Sequence, residues 1–347
     1  MTALRILHVV VSDRFAGVEQ FVRRLATVQA ADGHEVFVAG GAPELLAAPL
    51  RAGGVRFTPA ASTREALTAI RSADVDVVNS HMTSADVAAV LSRPVGRRRP
   101  VLVSTRHFAL RRGSRGPAAA YRLIERMLDA EISISRAVAD TIEVPSTIVH
   151  PGVDAVDADG AVRTRTVLMA QRLQPEKDTA LGIRAFAASG IADADWRLEI
   201  AGVGAQEAEL RALADELGIA EAVSFLGFRH DLPQLMLRAG MLLATTPNEG
   251  LGLTVVEAMA SGLPVVASAA GGHLDTLAGI EKNGLFTVGD VAAAADRLRA
   301  LAVDPEQRSR LADAQLAVQR RRFTLRSQAD GTEAVYRSAI ARRRAQR

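Results

Sequence analysis

The 347-residue sequence predicts an α/β protein of two doubly wound, Rossmann-like domains. Three observations carry that prediction. Short apolar runs alternate with helical segments along the whole chain, the pattern of parallel sheets covered by helices. The runs are β-branched and continuous, which suits strands buried on both faces. The length exceeds what one ordinary core supports and divides naturally into two domains of about 150 to 170 residues, and hydrophobic residues, at 48%, suffice for two buried sheets.

In the first half the strand candidates are Ile6 to Val10, Val36 to Ala39, Val75 to Val78, Val101 to Ser104, Ile132 to Ile134 and Thr147 to Val149. In the second they are Val167 to Ala170, Arg197 to Ala201, Val223 to Leu226, Met241 to Ala244 and Pro264 to Ala267. Helices are expected at Val18 to Ala31, Ala180 to Ala188, Glu207 to Leu217, Leu232 to Ala239, Thr254 to Ser261 and Val291 to Ala302. The pattern breaks at Pro151 to Val162, where proline, two glycines and an Asp-Ala-Val-Asp-Ala-Asp run point to a linker. The domains expected are therefore 1–152 and 153–323, with a segment 324–347 remaining.

Composition narrows the function. The chain has no cysteine, so disulfide frameworks, thiolate metal sites and thiol nucleophiles are excluded. Leu4 to Val11 is interrupted by Arg5 and His8, and neither a signal peptide nor an apolar run of membrane-spanning length is apparent. The expected compartment is the cytoplasm. Aromatics are only 4% and form no interleaved platform, which disfavours nucleic acid as a partner.

Two segments carry the chemistry. Between Glu249 and Gly262 a glycine-softened loop runs into a short helix, with carboxylates at Glu249 and Glu257. Gly250 and Gly252 allow close backbone approach to a ligand, and the free amides and dipole of the helix start favour an anion such as a diphosphate. Gly262 is suited to ending the helix and Pro264 forbids its continuation. Glu257 can accept hydrogen bonds from neutral hydroxyls, such as those of a ribose. Upstream, the buried strand Thr166 to Ala170 leads into Gln171 to Asp178, where Pro175 is expected to end any helix, leaving Arg172 and Lys177 on one loop. Two cations at the carboxyl end of a strand suit an anionic ligand, the arginine as a fork and the lysine as a point charge.

These blocks resemble the large GT-B group of retaining glycosyltransferases that includes bacterial mannosyl-, glucosyl- and N-acetylglucosaminyltransferases (glycosyl transferases group 1, family 4). The resemblance covers nearly the whole chain, with its pieces in order. They are Leu4 to Gly17, Gly33-His34-Glu35-Val36, Ser104-Thr105-Arg106-His107, His150-Pro151-Gly152-Val153-Asp154, Arg172 to Lys177, Ala201-Gly202-Val203-Gly204, Phe225-Leu226-Gly227-Phe228 and the glutamate pair. It implies a donor site in the second domain, where Arg172 and Lys177 hold the diphosphate of a nucleotide sugar and Glu257 the ribose. Glu249 and the amides of Gly250, Leu251, Gly252 and Leu253 would meet the sugar and distal phosphate. Backbone near Phe228 and Arg229, with Gly202 and Gly204, would face the base, while Gly17 and His107 approach the phosphate and the transferred sugar from the first, acceptor-side domain. It also implies that the final helix crosses back onto that domain, and that the seam between domains is the active cleft. Three departures stand out: Ala16-Gly17 replaces the usual glycine pair, Gln171 the usual glycine, and Asp275 the usual glutamate after Gly271-Gly272.

Arginines cluster at Arg97 to Arg99, at Arg111, Arg112 and Arg115, and at Arg342 to Arg344, although the net charge is only +3. The plain reading is a solubilising surface; the sharper one puts Arg106 to Gly116 on an acceptor-side loop meeting an anionic acceptor or an acidic membrane surface, at the inner membrane face. Asp-x-Asp pairs at Asp74/Asp76, Asp157/Asp159 and Asp193/Asp195 lack a third converging ligand, so no metal is expected. Cationic side chains and a helix dipole can stabilise a departing diphosphate instead. Among the histidines, His34 and His150 read as structural, His81 as a candidate cleft residue, and His107, at the carboxyl end of a strand, as the catalytic candidate. No serine-hydrolase elbow is visible, and Ala201 to Glu207 lacks the third glycine of a dinucleotide fingerprint. The reading is a metal-independent retaining glycosyltransferase without a cofactor, using a nucleotide diphosphate sugar (uridine over guanosine) and an acceptor that is a lipid, cyclitol, small metabolite or glycan. A nucleotide-sugar epimerase or hydrolase, and a catalytically silent nucleotide-sugar-binding subunit, are the alternatives.

Overall fold

A computed structural model of the chain describes residues 2–93, 99–110, 112, 118–157, 160, 162–280 and 284–345. Arg97, Arg98, Arg111, Arg115 and Asp159 of the motifs above lie outside the described residues. The chain divides into two units, Met1–Gly152 with Leu325–Arg347, and Val153–Thr324.

The first unit is built on a seven-stranded parallel sheet of β1 (Arg5–Val10), β2 (Glu35–Ala39), β3 (Arg56–Thr58), β4 (Val77–His81), β5 (Val101–Arg106), β6 (Ala130–Ser133) and β7 (Thr147–Ile148), in the order β3-β2-β1-β4-β5-β6-β7. The order reverses direction between β1 and β4, so the loops after these strands diverge and leave a crevice at their carboxyl ends. The apolar strand residues point to both faces. One cluster joins Leu7, Val9, Val78 and Leu102 with Ala85, Ala88 and Ala89 of the helix Thr83–Leu91. The other joins Ile6, Val77, Val103 and Ile132 with Val335, Tyr336 and Ala339 of the helix Leu325–Ala345.

The second unit carries a six-stranded parallel sheet of β8 (Thr166–Ala170), β9 (Arg197–Ala201), β10 (Val223–Gly227), β11 (Met241–Ala244), β12 (Val265–Ser268) and β13 (Leu285–Phe286), in the order β10-β9-β8-β11-β12-β13. Here the reversal falls between β8 and β11. The loop after β8 is the Gln171–Lys177 segment and the loop after β11 leads through Glu249 to the helix Leu253–Ala260, so both chemical motifs flank one switch point.

β3 and β13, three and two residues long, were not expected from the sequence. They are short sheet edges, and Arg56-Phe57-Thr58 offers no apolar run to mark it. The helix Pro43–Ala52 is equally unsignalled, because Pro49 lies inside it. Pro175 lies, as expected, in the connection that carries Arg172 and Lys177 from β8 to the next helix. It opens a single 3-10 turn, Pro175–Lys177, where its fixed φ suits the first helical position. Asp178, at φ 49° and ψ 48°, then turns the chain and caps the helix Thr179–Ser189 through a bond from Leu181 N.

Candidate functional site

In the second unit the two motifs meet. Lys177 Nζ donates to Glu249 Oε2 at 2.7 Å, with both side chains about four-fifths buried at 19% and 23% exposure. The other carboxylate oxygen of Glu249 accepts from Gly250 N at 3.0 Å. Arg172 lies at the rim, where its Nη2 bonds Glu176 Oε1 at 2.9 Å in an exposed pair.

Gln171 stands where the resemblance expects glycine, and its amide has a purpose. Nε2 donates to Lys177 O at 3.1 Å and Thr179 Oγ1 at 2.9 Å, while Thr245 Oγ1 donates to the same carbonyl at 2.9 Å. The backbone under Lys177 is thereby tied to both strand ends. Glycines fix the opposite wall. Gly271, at φ +48°, would place a Cβ 2.2 Å from Glu249 O, and a Cβ on Gly272 would lie 2.1 Å from Leu251 Cα. Gly272 N also donates to Glu249 O at 2.8 Å. Gly252, at φ +88°, caps the helix Leu253–Ala260 with no side-chain bond to its first amides. On that helix Val255, Val256, Ala258, Met259 and Ala260 are buried, leaving Leu253, Thr254 and Glu257 on the outer face.

His273 was missed by sequence reasoning. It is 1% exposed, shares its Nδ1 with Ser268 O at 3.1 Å, and a Cβ on Gly252 would come within 3.1 Å of its Nε2. Burial lowers its pKa, opposed by the Glu249 carboxylate. Its place after a Gly-Gly pair was the available signal.

Gly202 and Gly204 pack against protein backbone. A Cβ would lie 1.9 Å from Gln171 O at Gly202 and 2.1 Å from Leu173 O at Gly204. Phe228 is 67% exposed and packs its ring edge-on to His230, while Arg229 grips Asp231 through two bonds of 2.7 and 2.6 Å.

In the first unit, His107 follows β5 and is 9% exposed. His81 is the last residue of β4 rather than part of a following loop, and is fully buried. His81 Nδ1 lies 3.0 Å from His107 Nε2, and His81 Nε2 lies 3.1 Å from Nδ1 of His8, a β1 residue that the sequence alone did not single out. Burial drives all three below the ordinary histidine range, His8 to about 4 and His107 to about 3, with the Arg106 charge adding to the effect at His107. Gly17 opens the helix Gly17–Ala31 with nothing within 4 Å of an added Cβ. Ala16 has φ −141° and ψ −160°, extended backbone open to any residue, so the lost glycine leaves no strain.

One expectation is corrected. Arg112 is not part of an exposed basic loop. Its side chain has 0% exposure and bonds Asp86 at 3.0 Å, Glu131 at 2.8 Å and Ser104 Oγ at 3.1 Å. Arg106 is also buried and holds Leu110 O at 2.7 Å. Neither guanidinium is presented to an anionic surface, because burying a cation is tolerable only with such partners. Of the Asp-x-Asp pairs, Asp76 accepts from Arg5 N at 3.0 Å and Asp74 pairs with the Arg5 guanidinium. Among the described residues no group of three or more His, Asp or Glu converges as metal ligands would, and no helix is long and apolar enough to cross a membrane.

The chain is similar in sequence and in fold to known proteins. The family model described as "Glycosyl transferases group 1" matches residues 159–316, and that described as "Glycosyltransferase Family 4" matches 15–156. The lipopolysaccharide core biosynthesis mannosyltransferase LpcC of Rhizobium leguminosarum is 30% identical over 237 residues, 63% of this chain and 66% of that protein. A D-inositol 3-phosphate glycosyltransferase of Stackebrandtia nassauensis is 35% identical over 62% of this chain and 53% of its own length. Among these and further curated relatives, the chain spans between 29% and 68% of each protein. In fold, the chain is similar to Anabaena HepE, solved in complex with UDP, with a TM-score of 0.81 at 20% identity over 96% of this chain and 100% of that one. Matched in succession by both family models and sharing the two-sheet architecture, the chain belongs to the group 1 glycosyltransferases of GT-B fold.

Proposed function

We propose that the protein is a retaining glycosyltransferase that moves a hexose or N-acetylhexosamine from a nucleotide diphosphate sugar, with uridine as the favoured base, to a hydroxyl-bearing acceptor. The observation that carries this reading is the Lys177–Glu249 pair beside the uncapped start of the helix Leu253–Ala260. An ammonium has three hydrogens; one holds Glu249 and two remain for phosphate oxygens. Arg172 holds only an exposed i,i+4 partner, a pairing worth a few tenths of a kcal/mol at most (~0.5), so it exchanges Glu176 for a phosphate at little cost.

In the proposed reaction the bond from the anomeric carbon to the phosphate oxygen breaks as the acceptor oxygen bonds the same face. The acceptor proton passes to the leaving phosphate oxygen, releasing the nucleoside diphosphate. Arg172, Lys177 and the helix amides stabilise the charge developing on that diphosphate, so no metal ion is required. Glu249 accepts from sugar hydroxyls through its remaining lone pairs, Glu257 serves the ribose, and His107 hydrogen-bonds the transferred sugar. UDP bound to HepE supports uridine. The acceptor class stays open among lipid, cyclitol, small metabolite and glycan, and work at an acidic membrane face belongs to the lipid case.

Thermal unfolding against uridine, guanosine, adenosine and thymidine diphosphates and their sugars, with and without chelator, tests the reading. A ligand at a hundredfold over its dissociation constant adds about 2.7 kcal/mol. A uridine-selective, chelator-insensitive rise in Tm is expected. Stabilisation that requires a divalent cation would overturn metal independence, and no rise with any nucleotide would overturn the donor site.

A further inference from the structure

The three buried histidines form a line with one open end. His8 Nε2 lies 2.7 Å from Gln29 Oε1, His8 Nδ1 lies 3.1 Å from His81 Nε2, and His81 Nδ1 lies 3.0 Å from His107 Nε2. The rings come from β1, β4 and the residue after β5, at the point where the strand order reverses. The ring of Phe21 packs edge-on against both His81 and His107, at 5.7 and 4.7 Å between centroids, closing the side of the line. Met82, directly after His81, is held at φ +71°, a conformation that costs a non-glycine residue about 1 kcal/mol or more.

A neutral imidazole has one N–H and one bare nitrogen. Each nitrogen-to-nitrogen contact holds a single proton, so the tautomers are linked: reversing one ring alone would set two N–H groups head to head on one side and two lone pairs on the other. Only two all-neutral arrangements satisfy every contact, and the group at the closed end selects between them. With a carbonyl oxygen on His8, each ring carries its proton on Nε2 and the last nitrogen, His107 Nδ1, is left as a lone pair.

We propose that Gln29, His8 and His81 are positioning residues that lock His107 in the Nε2–H tautomer, so that His107 Nδ1 accepts a hydrogen bond from a hydroxyl of the transferred sugar. The sugar contact rests on the transferase reading above, whereas the tautomer does not. Gln29 is 1% exposed and sits three rings from the acting nitrogen, on the helix Gly17–Ala31, yet it decides whether that nitrogen gives or takes a proton in the bond.

Nitrogen-15 spectra of the histidine side chains in the full chain at pH 7 test the lock directly, with no substitution needed. His107 is expected to show a protonated Nε2 and an unprotonated Nδ1. A protonated Nδ1 in the parent protein would overturn the proposal. In Gln29→Leu, which removes the selecting carbonyl, His107 is expected to become a mixture of tautomers, with kcat reduced about tenfold and KM for the donor changed less than twofold; Gln29→Glu, which restores an acceptor, is expected to return the Nε2–H form. An unchanged His107 tautomer in Gln29→Leu would also overturn the lock. A tautomer that shifts without any change in kcat would leave the lock standing and remove the sugar contact.

Discussion

Lys177 and Glu249, 72 residues apart in sequence, are joined by a 2.7 Å ion pair that bridges the loops after β8 and β11. The pair is partly buried, so each charge depends on the other more than a surface pair does. It also sets the spacing between the cation assigned to phosphate and the carboxylate assigned to sugar.

Removing the lysine therefore does two things. Lys177→Ala is expected to lower stability by about 1 kcal/mol, since it strands Glu249, and to reduce kcat/KM for the donor by about a hundredfold, on the order of 2.7 kcal/mol. Glu249→Gln keeps an acceptor for Gly250 N and is expected to cost less stability but a comparable part of the turnover. Steady-state kinetics with parallel denaturant titrations reads both, and full turnover in either variant would remove that residue from its role.

Gln171→Gly restores the residue usual in the family but removes the amide that ties Lys177 O and Thr179. A loss of about 1–2 kcal/mol is expected, with a raised donor KM because the lysine loop loosens. A variant as stable and as active as the parent would show that Thr245 alone suffices to hold that carbonyl.

The glycines divide by space. Gly271→Ala and Gly272→Ala would push a methyl into the backbone of Glu249 and Leu251 and are expected to destabilise by several kcal/mol (~2–4) while abolishing donor binding. Gly17→Ala meets open space, so its Tm is expected to stay within about a degree while donor kinetics change if that position approaches the phosphate. Differential scanning calorimetry with donor titration separates the two classes.

Acid will unfold the protein partly through its histidines. Their folded-state pKa values, about 4 for His8 and about 3 for His107, lie below the ordinary 6.5. Between those limits the unfolded chain binds protons that the folded one refuses, so this stability is complete above about pH 6.5 and drains away as pH falls toward 4. At about 1.4 kcal/mol per pH unit of separation, one ring is worth on the order of 3 kcal/mol. Urea titrations from pH 7.5 to 4.5 should show the decline, and His8→Asn should flatten it; a parent protein equally stable across that range would contradict the burial of neutral rings.

How much of this was legible in sequence follows from how local each signal is. Strands buried on both faces announce themselves as nearly continuous apolar runs, and β1, β8 and β11 were readable for that reason. Edge strands such as β3 carry no such run. The Arg172–Lys177 loop and the Glu249–Gly252 loop were visible as separate charged and glycine-rich segments, but their junction depends on the strand order, which no local pattern encodes. The histidine line is the extreme case. His8 looked like an interruption in an apolar strand, and only the pairing of β1 with β4 brings it against His81. Arg112 was misjudged because an arginine among arginines reads as solvent-facing, whereas its partners Asp86, Ser104 and Glu131 come from three separate elements, the helix Thr83–Leu91, β5 and β6.

The helix Leu325–Ala345 contributes Val335, Tyr336 and Ala339 to the core of the first unit, and Gln328 accepts a bond from Gly152 N at 2.7 Å. The first unit is thus discontinuous in the chain, whereas Val153–Thr324 is continuous. The amino-terminal sheet is made first, yet the face of its core that the helix Leu325–Ala345 covers stays open until that helix has left the ribosome; the segment between them can complete its own core sooner. Order of synthesis and order of core completion are expected to be inverted, and termination between Thr324 and Val335 would leave the half of the molecule that was made first without the side chains that cover it.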